Sequence, residues 1–595
     1  EFCNIPEQVV DCIEHTLFGR SFNALSPKLA NLLQPFLNIQ QGNDEFIKEI
    51  NERFIQKEMQ ELASWFDNDI EKNPLTIEQR RSCIINPKNT LVIASAGSGK
   101  TSTIIGKAAY LIKRNLAVPE EILLLTFSKK VKEELIQRLD VMFNKMGMEG
   151  TKPEVGTFHS FGLGVIGEVT GKKPSLSGMV DSDDSLGIHK TQVYENILKD
   201  LQEEEPSFYR KWLEFLATAR VPVKRQHLFK SEEEYNDTIS SYPFKFDNKR
   251  IKSAPERKIP ALSGDFVKSQ EELAIANLLW VNGINFEYEK EYLHDLADEE
   301  RQQYQPDFYY PDIKLWHEHF ALDSRGKAPE FMDASKYKKD VKWKRAVHKE
   351  HKTKFFETRS DDYFTGRLDS KILKRLKEEG LEFTPRSDEE IEKRVKEFYN
   401  LKEFSLLSQF IKYCKTLFLT EQMISEKLLS LEDQYRARKF LEIIIPIFNK
   451  YQENLEQSGE IDFEDMIIEA TKHVESKEFI SKYRYIIIDE FQDTSRDKAS
   501  LIRSLKKQNE AKLFCVGDDW QSIYRFAGSD INLMYDFSAE FGATEEVFLD
   551  KTFRCNRVIA ELGATFIEKN ELQKKKEIKA REPQNDRSLN FHWVD

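Results

Sequence analysis

The chain has 595 residues and carries 102 acidic against 89 basic side chains, a net charge of -13, which excludes a globally basic nucleic-acid binder and confines any DNA contact to a local stripe. Its six cysteines (Cys3, Cys12, Cys83, Cys414, Cys515, Cys555) show no C-x-x-C spacing, arguing against a zinc ribbon, an iron-sulfur cluster or a disulfide framework and fitting a reducing cytoplasm. No apolar run reaches the ~18 residues that cross a bilayer, and at ~150 residues per domain the length suits about four domains.

In chain order, residues 1–70 mix helical apolar spacing with polar stretches and predict a helical N-terminal module. N-P-L-T-I-E-Q at Asn73 to Gln79 then precedes the apolar run Leu91, Val92, Ile93 and the loop Ala94, Ser95, Ala96, Gly97, Ser98, Gly99, Lys100, Thr101, with Ser102 opening a helix-like stretch. Strand, glycine loop and helix is the context of a phosphate-binding loop. Gly97 and Gly99 let backbone N–H groups close on phosphate oxygens, Lys100 brings a charge to the terminal phosphates, and the Thr101 hydroxyl is suited to magnesium. Next, L-L-L-T-F-S-K-K at Leu123 to Lys130 is a buried strand with an aromatic and two lysines at its exit. Phe127 is suited to stacking on a base, and Lys129 and Lys130 to neutralising phosphates. G-T-F-H-S-F at Gly156 to Phe161 follows.

Far downstream, Ile486, Ile487 and Ile488 form a buried strand that ends in Asp489 and Glu490: one carboxylate to hold the metal and one to activate water. The pair of loop and acidic strand predicts an α/β parallel-sheet core over 71–165 and 480–548 that binds ATP with Mg2+ and hydrolyses it. Some three hundred residues, 166–479, are inserted between the halves, with charged helix-period patterns over 365–470 that mark solvated helix faces. V-G-D-D-W-Q-S-I-Y-R-F-A-G at Val516 to Gly528 and L-D-K-T-F-R at Leu549 to Arg554 close the motif series.

This ordered series resembles the UvrD/Rep-type superfamily 1A DNA helicases, and the D-D-W-Q form resembles the helicase IV branch. The resemblance implies a RecA-like P-loop NTPase core carrying a large, mostly helical 1B subdomain, and 3'-to-5' translocation on single-stranded or partially duplex DNA. Gln79 is then expected to read the adenine edge, Gln521 to sense the terminal phosphate, and Arg554 to serve as the arginine finger. Phe127, Lys129, Thr157, Phe158, His159 and Tyr524 are expected along the DNA path, and I-D-F-E-D-M-I at Ile461 to Ile467 is similar to a further family segment that braces the strand. The family's later segments, T-x-H-x-x-K-G and V-A-x-T-R-A, are absent, so 549–595 is expected to be the start of an incomplete second RecA-like domain. Because the chain also opens at Glu1 without Met, we expect a fragment of a longer protein, or else a protein partner that completes the motor. The alternative reading is a nucleotide- and single-strand-binding platform without turnover.

Within the insertion, 267–360 resembles a small α/β restriction-endonuclease-like fold of the PD-(D/E)xK type. V-K-S-Q-E-E-L-A-I-A-N-L-L-W reads as a helix bearing Glu271 and Glu272. I-N-F-E-Y-E-K-E-Y and I-K-L-W-H-E-H-F read as strands, with Y-Q-P-D-F-Y-Y-P-D between them, and F-F-E-T-R-S as a later one. The resemblance implies that Asp307 and Glu318 ligate magnesium with Glu272 behind them. The motif's lysine is replaced by Phe320, so Lys342 or Lys344 is expected to supply the charge from the next helix, with His317 and His319 as another compensation. Cleavage is therefore an open expectation beside DNA binding.

Overall fold

A computed structural model describes residues 44–148, 152–177, 187–231, 233–235, 259–298, 301–398 and 403–570, with 573, 575, 576 and 578–580. The expected N-terminal module lies largely outside the described residues; within them it is two helices, Asp44–Glu61 and Ala63–Asn68, the second burying Trp65 and Phe66. The chain falls into two compact units: one gathers the described residues up to Lys173 and from Asp465, the other runs from Pro174 to Glu464.

The first unit is a mixed α/β fold on a six-stranded sheet in which every neighbouring pair is parallel. Its order is Glu545–Leu549, Asn89–Ala94, Lys512–Gly517, Tyr485–Ile488, Ile122–Thr126, Glu154–Thr157. The central strands are continuous apolar runs because both faces are covered: Leu91, Leu123, Leu125, Ile486 and Ile488 are each 0 % exposed. Helix Lys100–Lys113 buries Ile104, Ile105, Ala108, Ala109 and Leu111 against the alternate strand residues Val92, Leu124, Ile487 and Phe514. Register fixes the geometry of the site, because Ile93 lies opposite Gly517 while Ile488 lies opposite Cys515 and Leu125. The loop strand and the acidic strand therefore end at one edge of the sheet, next-but-one neighbours, where a parallel α/β sheet presents its ligand crevice. Beyond Leu549, strand Lys551–Thr552 pairs in parallel with Lys579–Ala580 across the crossover helix Arg557–Ile567.

The second unit combines long helices with a four-stranded sheet ordered Lys354–Arg359, Leu315–Phe320, Phe308–Tyr310, Glu287–Tyr288. The first pair is parallel and the other two are antiparallel. Helix Gln270–Val281 precedes this sheet in the chain, and helix Ala334–Glu350 makes the crossover to its last strand. Phe308, Tyr310, Leu315 and Phe356 share one apolar core with the helices of the unit. The predicted strand at Ile284 to Tyr292 shrinks to Glu287–Tyr288.

Candidate functional site

The first unit places the glycine loop, the acidic strand end and the post-sheet segment together. Gly97 and Gly99 take φ of 73° and 81°, and Gly99 caps helix Lys100–Lys113, a conformation that an L side chain adopts only under strain. A Cβ on Gly97 would lie 2.3 Å from the Arg554 Cβ, and one on Gly99 2.4 Å from the Gln79 Nε2. The close approach has a backbone basis: Phe553 N–H donates to the Gly97 carbonyl at 2.9 Å, and the Thr552 hydroxyl donates to the Ala96 carbonyl at 2.7 Å. Arg554 thus stands exposed directly over the loop.

Lys100 forms an ion pair with Glu490. Glu490 has φ of 49°, a left-handed conformation of the kind that concentrates at functional sites. Its Oε2 also accepts from Gln492 Nε2 at 2.9 Å, while Gln492 Oε1 accepts from Asp518 N–H at 2.9 Å. Gln521 Nε2 donates to Asp518 Oδ2 at 2.5 Å. One hydrogen-bonded chain therefore runs from Lys100 through Glu490, Gln492 and Asp518 to Gln521. Asp489 is 3 % exposed, and burial together with the adjacent Glu490 charge pushes its carboxyl up to about 7.

The residues present fit a nucleotide triphosphate and its cation. The hydroxyls of Ser95 and Ser98 and one oxygen of Asp493 are buried without a partner among the described residues, which is costly unless a ligand satisfies them. Thr101 lies on the first turn of the loop helix, and the neighbouring Ser102 accepts from Arg138 at 2.9 Å. Gln79 is placed differently from a free base reader. Its Oε1 accepts from Thr76 N–H at 2.8 Å and its Nε2 donates to the Ser98 carbonyl at 2.9 Å, so its amide braces the loop.

One residue that sequence reasoning missed completes this site. Lys576 is 1 % exposed on its side chain and meets Asp518 at 2.7 Å and Asp519 at 2.5 Å. It sits in the run Lys574, Lys575, Lys576, a pattern that ordinarily marks a solvated stretch.

Among the expected DNA contacts, Phe127 packs on Phe158 with ring centroids 5.2 Å apart, and Lys498 lies over the Phe127 ring at 5.7 Å. Thr157 caps the helix that begins at Phe158, accepting from Ser160 N–H at 3.1 Å, with His159 half-buried beside it. Lys129 and Lys130 are exposed on the first turn of helix Lys129–Lys145. Ile523, Tyr524 and Phe526 are 68 %, 47 % and 79 % exposed, an apolar cluster of the kind that binds something. Asp462, in contrast, is internal to the second unit, accepting from Lys415 at 2.5 Å and Tyr451 at 2.8 Å.

In the insertion, a 670 Å³ cleft is lined by Glu271, Glu272, Asp307, Glu318, His319 and Lys344, among others. Lys344 reaches Glu318 at 2.6 Å from helix Ala334–Glu350, and Tyr304 donates to the other Glu318 oxygen at 2.8 Å. Asp307 accepts from His319 N–H at 2.6 Å, and burial plus the Glu318 charge push it up to about 7. Lys342 is exposed instead, and Phe320 is buried with Leu322 and Val341. Glu272 is occupied with the Ser269 hydroxyl at 2.9 Å and the Tyr288 hydroxyl at 2.5 Å. The histidines do not compensate for the missing motif lysine: His317 bonds Tyr310 and Thr358, and His319 bonds Thr358 and Glu271. Among the described residues no group of three or more His, Cys, Asp or Glu is arranged to hold a metal ion. Asp307 and Glu318 are the two carboxylates that this cleft brings together, with Lys344 on the second.

A glycine loop between a buried strand and a helix, with paired carboxylates ending the next-but-one strand of the same parallel sheet, defines a P-loop fold. The profile of the UvrD/REP helicase N-terminal domain matches residues 75–542, and the chain belongs to that family. It is 23 % identical over 531 residues to DNA helicase IV of Escherichia coli (strain K12), covering 89 % of this chain and 52 % of the relative. It is 30 % identical over 142 residues to the ATP-dependent DNA helicase PcrA of Bacillus subtilis, 23 % of this chain and 19 % of that protein. The ATP-dependent DNA helicase srs2 of Schizosaccharomyces pombe is 29 % identical over 137 residues, 23 % of this chain and 15 % of the relative. The chain thus spans about half the length of helicase IV and less of the other two.

Proposed function

We propose that the protein is a DNA-stimulated ATPase that drives 3'-to-5' translocation or unwinding on single-stranded or partially duplex DNA. The observation that carries this reading is the chain of contacts from Lys100 through Glu490, Gln492 and Asp518 to Gln521, with Arg554 over Gly97. Bound ATP and Mg2+ supply the scissile phosphoanhydride and part of the charge neutralisation. Thr101 and Asp489 are the residues to hold the cation. Lys100, paired with Glu490, is the charge placed for the terminal phosphates. Glu490 then takes the proton of the attacking water, with Gln492 holding its orientation. Gln521 and Arg554 bring donors to the charge that develops on the transferred phosphate. We assign the motor to 71–165 with 480–548, the 1B insertion to 166–479 and the start of a second motor domain to 549 onward, and its work on DNA to the cytoplasm.

We assign 267–360 to a nuclease-like element that binds DNA. Supporting this are the order helix, three strands, helix, strand, with the last two strands parallel, and the convergence of Asp307, Glu318 and Lys344 on one cleft. Phe320 stands where the motif has its lysine, and Lys344 already pairs with Glu318, so no cleavage step is assigned to the cleft.

The test is ATP turnover with and without single-stranded DNA, for the wild type and Lys100→Ala, with the DNA product run on a denaturing gel. Turnover that rises with DNA and disappears in Lys100→Ala supports the motor. ATP binding without turnover supports the platform reading. Cutting that is lost in Asp307→Ala moves the chemistry to the insertion.

A further inference from the structure

We propose that Lys576 is a positioning residue of the ATP-hydrolysing centre, a buried strut that ties the segment after helix Arg557–Ile567 to the loop strand and to the residues that hold Gln521 and Glu490. The inference rests on the ATPase reading and adds a residue to it.

The geometry is specific. The Lys576 ammonium donates to the Ala94 carbonyl at 3.0 Å, where the loop strand ends, and to Asp518 Oδ1 at 2.7 Å. It also pairs with Asp519 at 2.5 Å and lies under the Trp520 ring at 5.2 Å from the centroid. Asp518 and Asp519 are 1 % and 0 % exposed. Two adjacent buried carboxylates repel each other and cannot be solvated; the Trp520 N–H on Asp518 and the Tyr535 hydroxyl on Asp519 are neutral, so the charge of the pair is offset by the lysine between them. Lys576 hydrogen-bonds Asp518 and the strand-end carbonyl of Ala94 and offsets the Asp519 charge as an ion pair.

Asp518 divides its bonds between structure and site. One oxygen is held by Lys576, the other accepts from Gln521 Nε2 at 2.5 Å, and its backbone N–H donates to Gln492, which in turn donates to Glu490. Withdrawing the cation leaves Asp518 Oδ1 with the Trp520 N–H alone, at 3.2 Å, which loosens the carboxylate that holds Gln521 and, through the same residue's backbone, the N–H that holds Gln492. The segment bearing Lys576 is anchored independently on either side: Tyr535 donates to Gln573 at 3.2 Å, and Lys579 N–H donates to the Asp550 carbonyl at 2.9 Å. Lys576 is thus delivered from the same run of chain that carries Arg554, so the strut links the position of that run to the readiness of Glu490 and Gln521.

The experiment uses the whole protein with ATP, magnesium and single-stranded DNA, comparing the wild type with Lys576→Met, Lys576→Arg and the double variant Asp519→Asn/Lys576→Met. We expect Lys576→Met to lower kcat by about tenfold to a hundredfold while the affinity for a fluorescent ATP analogue stays within about twofold. Lys576→Arg recovers most of kcat. The double variant, which removes the Asp519 charge, regains thermal stability but not kcat, because Asp518 still lacks its cation. Wild-type kcat in Lys576→Met overturns the proposal. So does a parallel loss of kcat, analogue affinity and stability that arginine does not repair, which is the mark of a merely structural lysine. Lys100→Ala separates the two readings: turnover that survives it sinks the ATPase assignment, whatever Lys576 does. In a preparation without turnover, Trp520 emission, isolated by difference from Trp520→Phe, still decides. It shifts on analogue binding in the wild type and not in Lys576→Met if the strut couples them, and shifts equally in both if it does not.

Discussion

A single methyl group tests the phosphate loop. Gly97 has φ of 73° and leaves 2.3 Å between a would-be Cβ and the Arg554 Cβ, so Gly97→Ala must strain the loop and push Arg554 away together. We expect ATP-analogue affinity to fall by about tenfold or more, as for about 1.4 kcal/mol of lost binding. Gly164→Ala, where nothing lies within 4 Å of the new Cβ, is the control and gains slightly in stability from helix propensity. Lys107 tests the ground beneath the loop. It is 2 % exposed and caps the carbonyls of Cys83 and Ile85 at 3.1 Å and 2.6 Å. Burial pulls its ammonium down to about 7 from an ordinary 10.5. Between those values the unfolded chain holds a proton that the folded chain has lost, so this group makes stability rise with pH across the window and leaves a constant penalty below it. Urea unfolding from pH 7 to 9 should show a slope larger in the wild type than in Lys107→Met by up to about 1.4 kcal/mol per pH unit. Equal slopes would mean that the two carbonyls and the Phe514 ring, 5.4 Å away, hold the charge against burial.

At the scale of elements, what the sequence made legible is what is local. The run Leu91 to Thr101 reads as strand, loop and helix, and strand Asn89–Ala94 and helix Lys100–Lys113 occupy those positions, because apolar runs and left-handed glycines act within a few residues. The strand Leu315–Phe320 and helix Gln270–Val281 were legible for the same reason. What escaped depends on partners far away in the chain. Gln79 gives its Nε2 to the Ser98 carbonyl only because helix Ile77–Ile84 packs beside the loop, and Lys344 rather than Lys342 meets Glu318 because of the phase of its helix. Lys576 was hidden in a charge run whose burial no local pattern announces. The turn at Ile523 to Phe526 carries a prediction of its own. Its exposed rings point to base stacking, so Tyr524→Ala and Phe526→Ala should each weaken single-strand binding by about 1–3 kcal/mol with little change in salt dependence. Lys129→Ala and Lys130→Ala should instead flatten the plot of log affinity against log salt by about 0.7 per contact. Fluorescence anisotropy at several salt concentrations distinguishes the two, and a salt slope altered by Tyr524→Ala would remove the stacking assignment.

The two units have their own large cores among the described residues. Val92, Ile105, Leu124 and Phe514 belong to one, and Phe208, Leu279, Tyr363 and Ile443 to the other, each large enough to melt cooperatively by itself. Only the first contains the residues around the glycine loop. A ligand that binds the folded state raises stability by RT ln(1 + [L]/Kd), about 2.7 kcal/mol at a hundredfold excess over Kd. It acts on whichever unit must be folded to bind it. Differential scanning calorimetry with a non-hydrolysable ATP analogue and magnesium should therefore resolve two transitions and move one of them. Lys100→Ala should abolish that shift and leave the other transition untouched, whereas Lys344→Met, which strands Glu318 in the insertion, should lower the transition that the analogue does not move. One transition that moves as a whole would mean that the two cores unfold together and that nucleotide occupancy is felt across the chain.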